Sequence, residues 1–138
     1  MKKQIELTND LNVIPKLAVF VEEVCEELAL EKSLVFKLNL VLEEAVTNVI
    51  LYAYPQNENH SFQIFISKEN GILTAQVKDA GIPFDPTTQA PEVDTTLDAQ
   101  ERKIGGLGIF LIKEYMDTVS YQRTADGYNL LTMTKKLS

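Results

Sequence analysis

Two Asx-Gly dipeptides, Asn70-Gly71 and Asp126-Gly127, each stand between runs in which apolar and polar residues alternate. A two-residue hairpin needs a positive φ at its central residues, which Asn-Gly and Asp-Gly adopt readily. The spacing therefore predicts paired strands over residues 61–67 and 72–77, and again over 119–123 and 128–134. A chain committed to two hairpins is committed to a mostly antiparallel sheet. Lys3-Gln-Ile-Glu-Leu-Thr8 alternates in the same way and predicts a short further strand, expected at a sheet edge.

Helical periodicity fills the gaps. From Ile14 to Leu30 the apolar positions Ile14, Leu17, Val21, Val24, Cys25 and Leu28 recur every three or four residues, after the cap-forming residues Asn9 and Asp10. Glu22, Glu23, Glu26 and Glu27 fall on the opposite face, read as solvated. A second helix, expected to be capped by Ser33, carries Val35, Leu38, Leu42, Ala45, Val46, Val49 and Ile50, and ends before Pro55. A third covers 109–116. Residues 82–104 hold three prolines and no periodicity, and read as a functional loop with a lid at 86–104. Helices with one apolar face cover one face of an antiparallel sheet, so the expected class is α+β. The expected architecture is a single domain over 1–138, a two-layer α/β sandwich with a mostly antiparallel, mixed sheet and its helices on one face.

Charge and composition narrow the function. The 138 residues carry 20 acidic and 13 basic side chains, a formal net charge of −7. Phosphate-rich nucleic acid and anionic membrane surfaces are disfavoured partners. No apolar run approaches a membrane span and no apolar stretch follows Lys2-Lys3, so neither a span nor a signal peptide is expected, and a cytoplasmic location follows. One cysteine, Cys25, and one histidine, His60, cannot build a zinc site; Cys25 reads as a buried helix residue and His60 as an exposed one. There is no Gly-x-x-x-x-Gly-Lys-Ser/Thr loop, no Gly-x-Ser-x-Gly elbow and no His-Glu-x-x-His.

Three separated segments remain. Glu44 and Asn48, four apart on the second helix, project from one face beside the apolar stripe. A carboxylate and an amide oxygen placed so can take a proton and hold Mg²⁺, or can simply hydrogen-bond along a helix edge. Asp79-Ala80-Gly81-Ile82-Pro83-Phe84-Asp85-Pro86 follows a strand; its first carboxylate can accept from an exocyclic amine such as adenine's, or can close a tight turn. Gly105-Gly106-Leu107-Gly108 precedes a helix and can offer backbone N–H groups to an anion, or can serve as a capping loop.

In this order, with Tyr52-Ala53-Tyr54 and Met116-Asp117-Thr118-Val119, the segments resemble the GHKL (Bergerat-fold) ATP-binding superfamily over nearly the whole chain. In detail they look most like its small RsbW-like anti-sigma factor serine/threonine kinases. That resemblance implies a Bergerat ATP-binding fold with ATP and Mg²⁺ as cofactors. Asn48 would hold the metal and Glu44 would be the general base. Asp79 would read the adenine amine, with Gly81 making room for the ring and Phe84 beside it. Gly105, Gly106, Leu107 and Gly108 would wrap the phosphates, with Arg102 and Lys103 near the γ-phosphate. The wider superfamily has a second glycine where Pro83 stands, and the RsbW-like branch has threonine where Asn129 stands, so Asn129 is the departure nearest the base. With 138 residues, neither a phosphoacceptor helix nor a transducer domain is expected. The implied partners are a STAS-type anti-anti-sigma protein, phosphorylated on serine, a sigma factor, and a second copy in a homodimer. A nucleotide-gated binding module without phosphotransfer, and a slow ATPase, are the alternatives.

Overall fold

The computed structural model describes residues 2–55, 58–83, 85 and 108–137. The chain runs β1 (Lys2–Thr8), α1 (Ile14–Glu27), α2 (Lys32–Asn48), β2 (Ser61–Glu69), β3 (Ile72–Asp79), α3 (Gly108–Tyr115), β4 (Thr118–Arg123) and β5 (Asn129–Lys136). The lid expected at 86–104 lies outside the described residues.

The five strands form one sheet in the order β1-β2-β3-β5-β4, and all four pairings are antiparallel. The parallel component of the expected mixed sheet is therefore absent among the described residues. The β2–β3 hairpin turns at Asn70 (φ 54°) and Gly71 (φ 76°), the paired positive φ values that make Asn-Gly the favoured dipeptide there. Strand β1 takes the edge beside β2, as expected.

Alternation decides which sheet face is covered. Phe62, Ile64 and Ile66 on β2, Leu73, Ala75 and Val77 on β3, and Leu131 and Met133 on β5 are buried, while the intervening residues are at least partly exposed. The helices supply the facing layer through Leu17, Val21, Val24 and Cys25 on α1, Leu38, Val41, Leu42, Ala45 and Val46 on α2, and Ile112 on α3. Glu22, Glu23, Glu26 and Glu27 are exposed, and Glu27 pairs with Lys3 at 3.2 Å. Burial pushes the Cys25 thiol up to about 11, so it packs as an inert hydrophobe.

The helix ends depart from expectation in two places. Asp10 does cap, accepting from Asn12 N–H, but it starts a 3₁₀ turn over Leu11–Val13 that leads into α1. Helix α2 begins at Lys32, with Glu31 in the cap position and no side-chain cap bond, so Ser33 lies inside the first turn rather than ahead of it. At its far end α2 widens into a π-helical turn, Val49–Ala53. Such turns are rare and concentrate at functional sites. His60 keeps its side chain 39% exposed, stacked on Tyr54 with ring centroids 4.3 Å apart and Nε2 2.9 Å from Glu58.

Candidate functional site

Where α2 passes into its π-helical turn it faces the ends of β3, β4 and β5, and the two layers part to leave a cleft. The helix side is formed by Ala45, Asn48, Val49 and Ala53, and the sheet side by Val77, Asp79, Tyr121, Asn129 and Leu131. The cavity between these residues is small, about 30 Å³, and opens to solvent. Its walls are apolar except for a few polar groups, the usual composition of a small-molecule site.

Those polar groups lie deep. Asp79 is 5% exposed, Asn48 6% and Asn129 4%, the buried polar residues among those described. Asp79 ends β3 with its side chain on the covered sheet face. Its Oδ1 accepts from Gly81 N–H at 2.9 Å and from Asn129 Nδ2 at 2.9 Å. Both bonds go to one oxygen, which leaves Oδ2 without a partner among the described residues. Burial pushes the Asp79 carboxyl up, while the Asn129 and Gly81 bonds and the Arg123 charge pull it back.

The strand end is bolted to the helix end. Ile82 N–H donates to Ala53 O at 2.9 Å, and Ala80 N–H donates to the Tyr54 hydroxyl at 2.9 Å. A Cβ on Gly81 would lie 2.2 Å from Ala53 O, so this packing alone demands glycine. The glycine's missing side chain thus faces Ala53, not only the space where a ring would enter.

On the helix, Asn48 Oδ1 is buried with no hydrogen-bond partner. A buried amide oxygen left unpaired costs free energy, about 1–3 kcal/mol. It is a hard oxygen donor, the ligand type Mg²⁺ prefers, and Mg²⁺ characteristically takes one or two protein oxygens and completes its shell with phosphate and water. Among the described residues no group of three or more acidic, His or Cys side chains is placed to hold a metal ion. Glu44, one turn earlier, is half-buried and does not line the cleft. Burial, and then the neighbouring Glu43 charge, raise its pKa, the direction that makes a carboxylate a better proton acceptor. Thr47 spends its hydroxyl on Glu43 O at 2.7 Å.

The structure thus brings Asn48, Asp79 and Asn129 to one cleft, with Gly81 behind and Glu44 on the adjoining turn. Gly108 is the first residue of α3. Phe84, Arg102, Lys103, Gly105, Gly106 and Leu107 lie outside the described residues. Sequence reasoning singled out Tyr54 only as part of a matching segment, without a role, and missed Tyr121 and Arg123, which also touch this network; only the sheet register, which sets Arg123 and Asp79 on either side of Asn129, finds those two.

Comparison with known proteins decides the kinship. Residues 7–135 match the histidine kinase-like ATPase domain. The chain belongs to that family. It is 30% identical to the serine/threonine-protein kinase BtrW of Bordetella bronchiseptica over 100 residues, 72% of this chain and 68% of that protein. It is 34% identical to the serine-protein kinase RsbW of Listeria monocytogenes over 85 residues, 59% and 54% of the two chains, and 27% identical to the anti-sigma F factor of Bacillus subtilis over 103 residues, 74% and 69%. The matches thus span 54–69% of these relatives' own length. A chain of the SiaB–SiaC complex from Pseudomonas aeruginosa shares the fold, with a TM-score of 0.55 and 13% identity over 95% of this chain and 88% of that one. The expected GHKL superfamily, its RsbW-like branch and the protein-kinase class all agree with these relatives, and a histidine kinase-like ATPase domain binds ATP. Among the described residues no helix is long and apolar enough to cross a membrane.

Proposed function

We propose that this chain binds ATP with Mg²⁺ in the cleft between α2 and the sheet and transfers the γ-phosphoryl group to a serine of a small STAS-type anti-anti-sigma partner, while also binding a sigma factor. The observation that carries the reading is one cleft with two unpaired oxygen acceptors, Asp79 Oδ2 on the strand side and Asn48 Oδ1 on the helix side. The first suits the adenine amine and the second suits a cation on the phosphates.

In this mechanism Asp79 orients the base and the apolar walls exclude water from it. Asn48 would hold Mg²⁺, which when bound neutralises charge on the phosphates. Glu44 takes the proton from the incoming serine hydroxyl as its oxygen bonds to the γ-phosphorus and the bond to the bridging oxygen breaks, releasing ADP. Positioning and charge neutralisation supply most of the rate in such transfers. Gly105, Gly106, Leu107 and Gly108 are assigned to the phosphates, with Arg102 and Lys103 beside them and Phe84 near the base.

One observation favours the second reading, a nucleotide-gated binding module: Glu44 does not line the cleft. Incubation with γ-labelled ATP and purified STAS proteins separates the two. Label on a partner serine supports the kinase, tight ATP binding without transfer supports the module, and phosphate release alone supports a slow ATPase. The proposed homodimer is checked by light scattering, where a mass near 15.5 kDa at high concentration counts against it.

A further inference from the structure

We infer that Tyr121 and Arg123 are positioning residues for nucleotide choice: they fix the polarity of the Asn129 amide, which in turn holds Asp79 with one oxygen presented to the base. The inference rests on the reading of Asp79 as the adenine contact.

The sheet register makes the arrangement. Asp79 pairs with Asn129 across β3 and β5, and Arg123 pairs with Asn129 across β4 and β5, so the three stand side by side on neighbouring strands. Tyr121, two residues before Arg123, shares its face. Among the described residues, at least four bonds converge on the Asn129 side chain. Nδ2 donates to Asp79 Oδ1 at 2.9 Å and to Ile82 O at 2.7 Å. Oδ1 accepts from the Tyr121 hydroxyl and from Arg123 Nη1, the latter at 3.2 Å. Arg123 Nη1 also donates to Gly81 O at 2.8 Å, which holds the guanidinium against the same strand end.

An amide can flip and exchange its donor and acceptor ends. Here the neighbours forbid it, because most have only one polarity. A guanidinium only donates, whereas a carboxylate and a backbone carbonyl only accept. Turned over, the amide would set its oxygen against Asp79 Oδ1 and Ile82 O and its N–H₂ against Arg123. Tyr121 is the tolerant member, since a phenol can donate or accept. Arg123 is therefore the residue that imposes the orientation, and Tyr121 reinforces it. With Oδ1 of Asp79 taken by Asn129 and Gly81, the other oxygen is left for the ligand. The threonine expected at this place offers a single rotatable hydroxyl, one donor that also accepts, so the locked amide is a different solution to aiming the same carboxylate.

The test compares ATP with inosine triphosphate, which carries a carbonyl where adenine has its amine, by calorimetry on the full chain. Wild type should prefer ATP. Arg123→Met should lose about tenfold in ATP affinity, the worth of a charge-assisted hydrogen bond. Inosine triphosphate affinity should stay unchanged, so the preference narrows by the same factor. Arg123→Lys should recover part of it, because an ammonium can only donate. Tyr121→Phe, the milder change, should cost about threefold for ATP alone, and carries the test if Arg123→Met does not fold. A parallel fall for both nucleotides would mean a purely structural role and overturn the inference. So would a preference that survives in the variants. Equal affinity for the two nucleotides in wild type would overturn it at its root, by removing the adenine reading of Asp79.

Discussion

The strand end and the helix end of the cleft are built on opposite principles. Among the described residues the strand end is tied by a network: Asp79 Oδ1 to Gly81 and Asn129, Asn129 to Ile82, Tyr121 and Arg123, and Ala80 to Tyr54, with Asp79 Oδ2 left over. At the helix end Asn48 Oδ1 is buried and unpaired, and the Glu44 carboxyl is held in a setting that disfavours its charge. One end is rigid before anything binds, which lowers the cost of ordering it. The other carries unmet electrostatic demand that a cation or an incoming proton would satisfy. A site divided this way separates recognition from chemistry, and the two halves should fail differently.

The largest expected effect is at the helix end. Glu44→Gln should reduce single-turnover phosphoryl transfer by about 10²–10⁴-fold, the usual worth of a general base, with nucleotide affinity nearly unchanged. Glu43, its neighbour about 100° around the helix, is the control, and Glu43→Gln should be mild. If both variants fail equally, the division of labour drawn within α2 is wrong.

Asp79→Asn attacks the strand end and should act on affinity. Losing one charge-assisted acceptor is worth about 1.5–3 kcal/mol, or about 10- to 150-fold in ATP binding by calorimetry. Wild type should bind GTP poorly for the same reason. Comparable ATP and GTP affinities would break the comparison from this side.

Asn48→Leu sharpens it. Removing a buried acceptor that has no partner should raise the stability of the nucleotide-free chain by about 1 kcal/mol in urea unfolding, while the stabilisation by ATP with Mg²⁺ is lost. A fall in nucleotide-free stability would mean that the amide is structural after all.

The smallest effect is one of pH. Glu44 is raised in the folded chain, chiefly by burial. Its contribution to stability is therefore fully present below the ordinary carboxylate range and is lost as pH rises through the raised folded value. Relative to wild type, nucleotide-free Glu44→Gln should be the more stable at neutral pH, with the advantage vanishing in acid. Thermal unfolding at several pH values reads this directly, and an advantage that grows in acid would contradict it.

Much of this arrangement is legible without coordinates. Asn70-Gly71 and the alternation around it locate a hairpin because the turn's backbone demand and the two-residue period are both local. The helix stripes and the burial of Cys25 follow from a local period as well. Glu44 and Asn48 are found together because a helix converts a spacing of four into a shared face. Non-local geometry escapes this reading. Arg123 and Tyr121 sit in a strand whose sequence carries no motif, and only the register against β5 brings them to Asn129. Ser33 looked like a cap by residue type, yet the first turn forms one residue earlier, where no side chain caps it. The all-antiparallel order likewise depends on which strands neighbour one another across the long 82–104 connection.

The 2.2 Å that a Cβ on Gly81 would leave to Ala53 O has a mechanical meaning. Backbone touches backbone there, with no side chain between to act as a cushion. The π-helical turn ending at Ala53 and the Ala80–Ile82 segment that follows β3 are joined there backbone to backbone. The separation between Asp79 Oδ2 and Asn48 Oδ1, the two oxygens proposed to meet the base and a cation on the phosphates, is consequently set by the chain itself. A molecule longer or shorter between those two points has to adapt to the protein, because this joint leaves the protein little room to adapt to it.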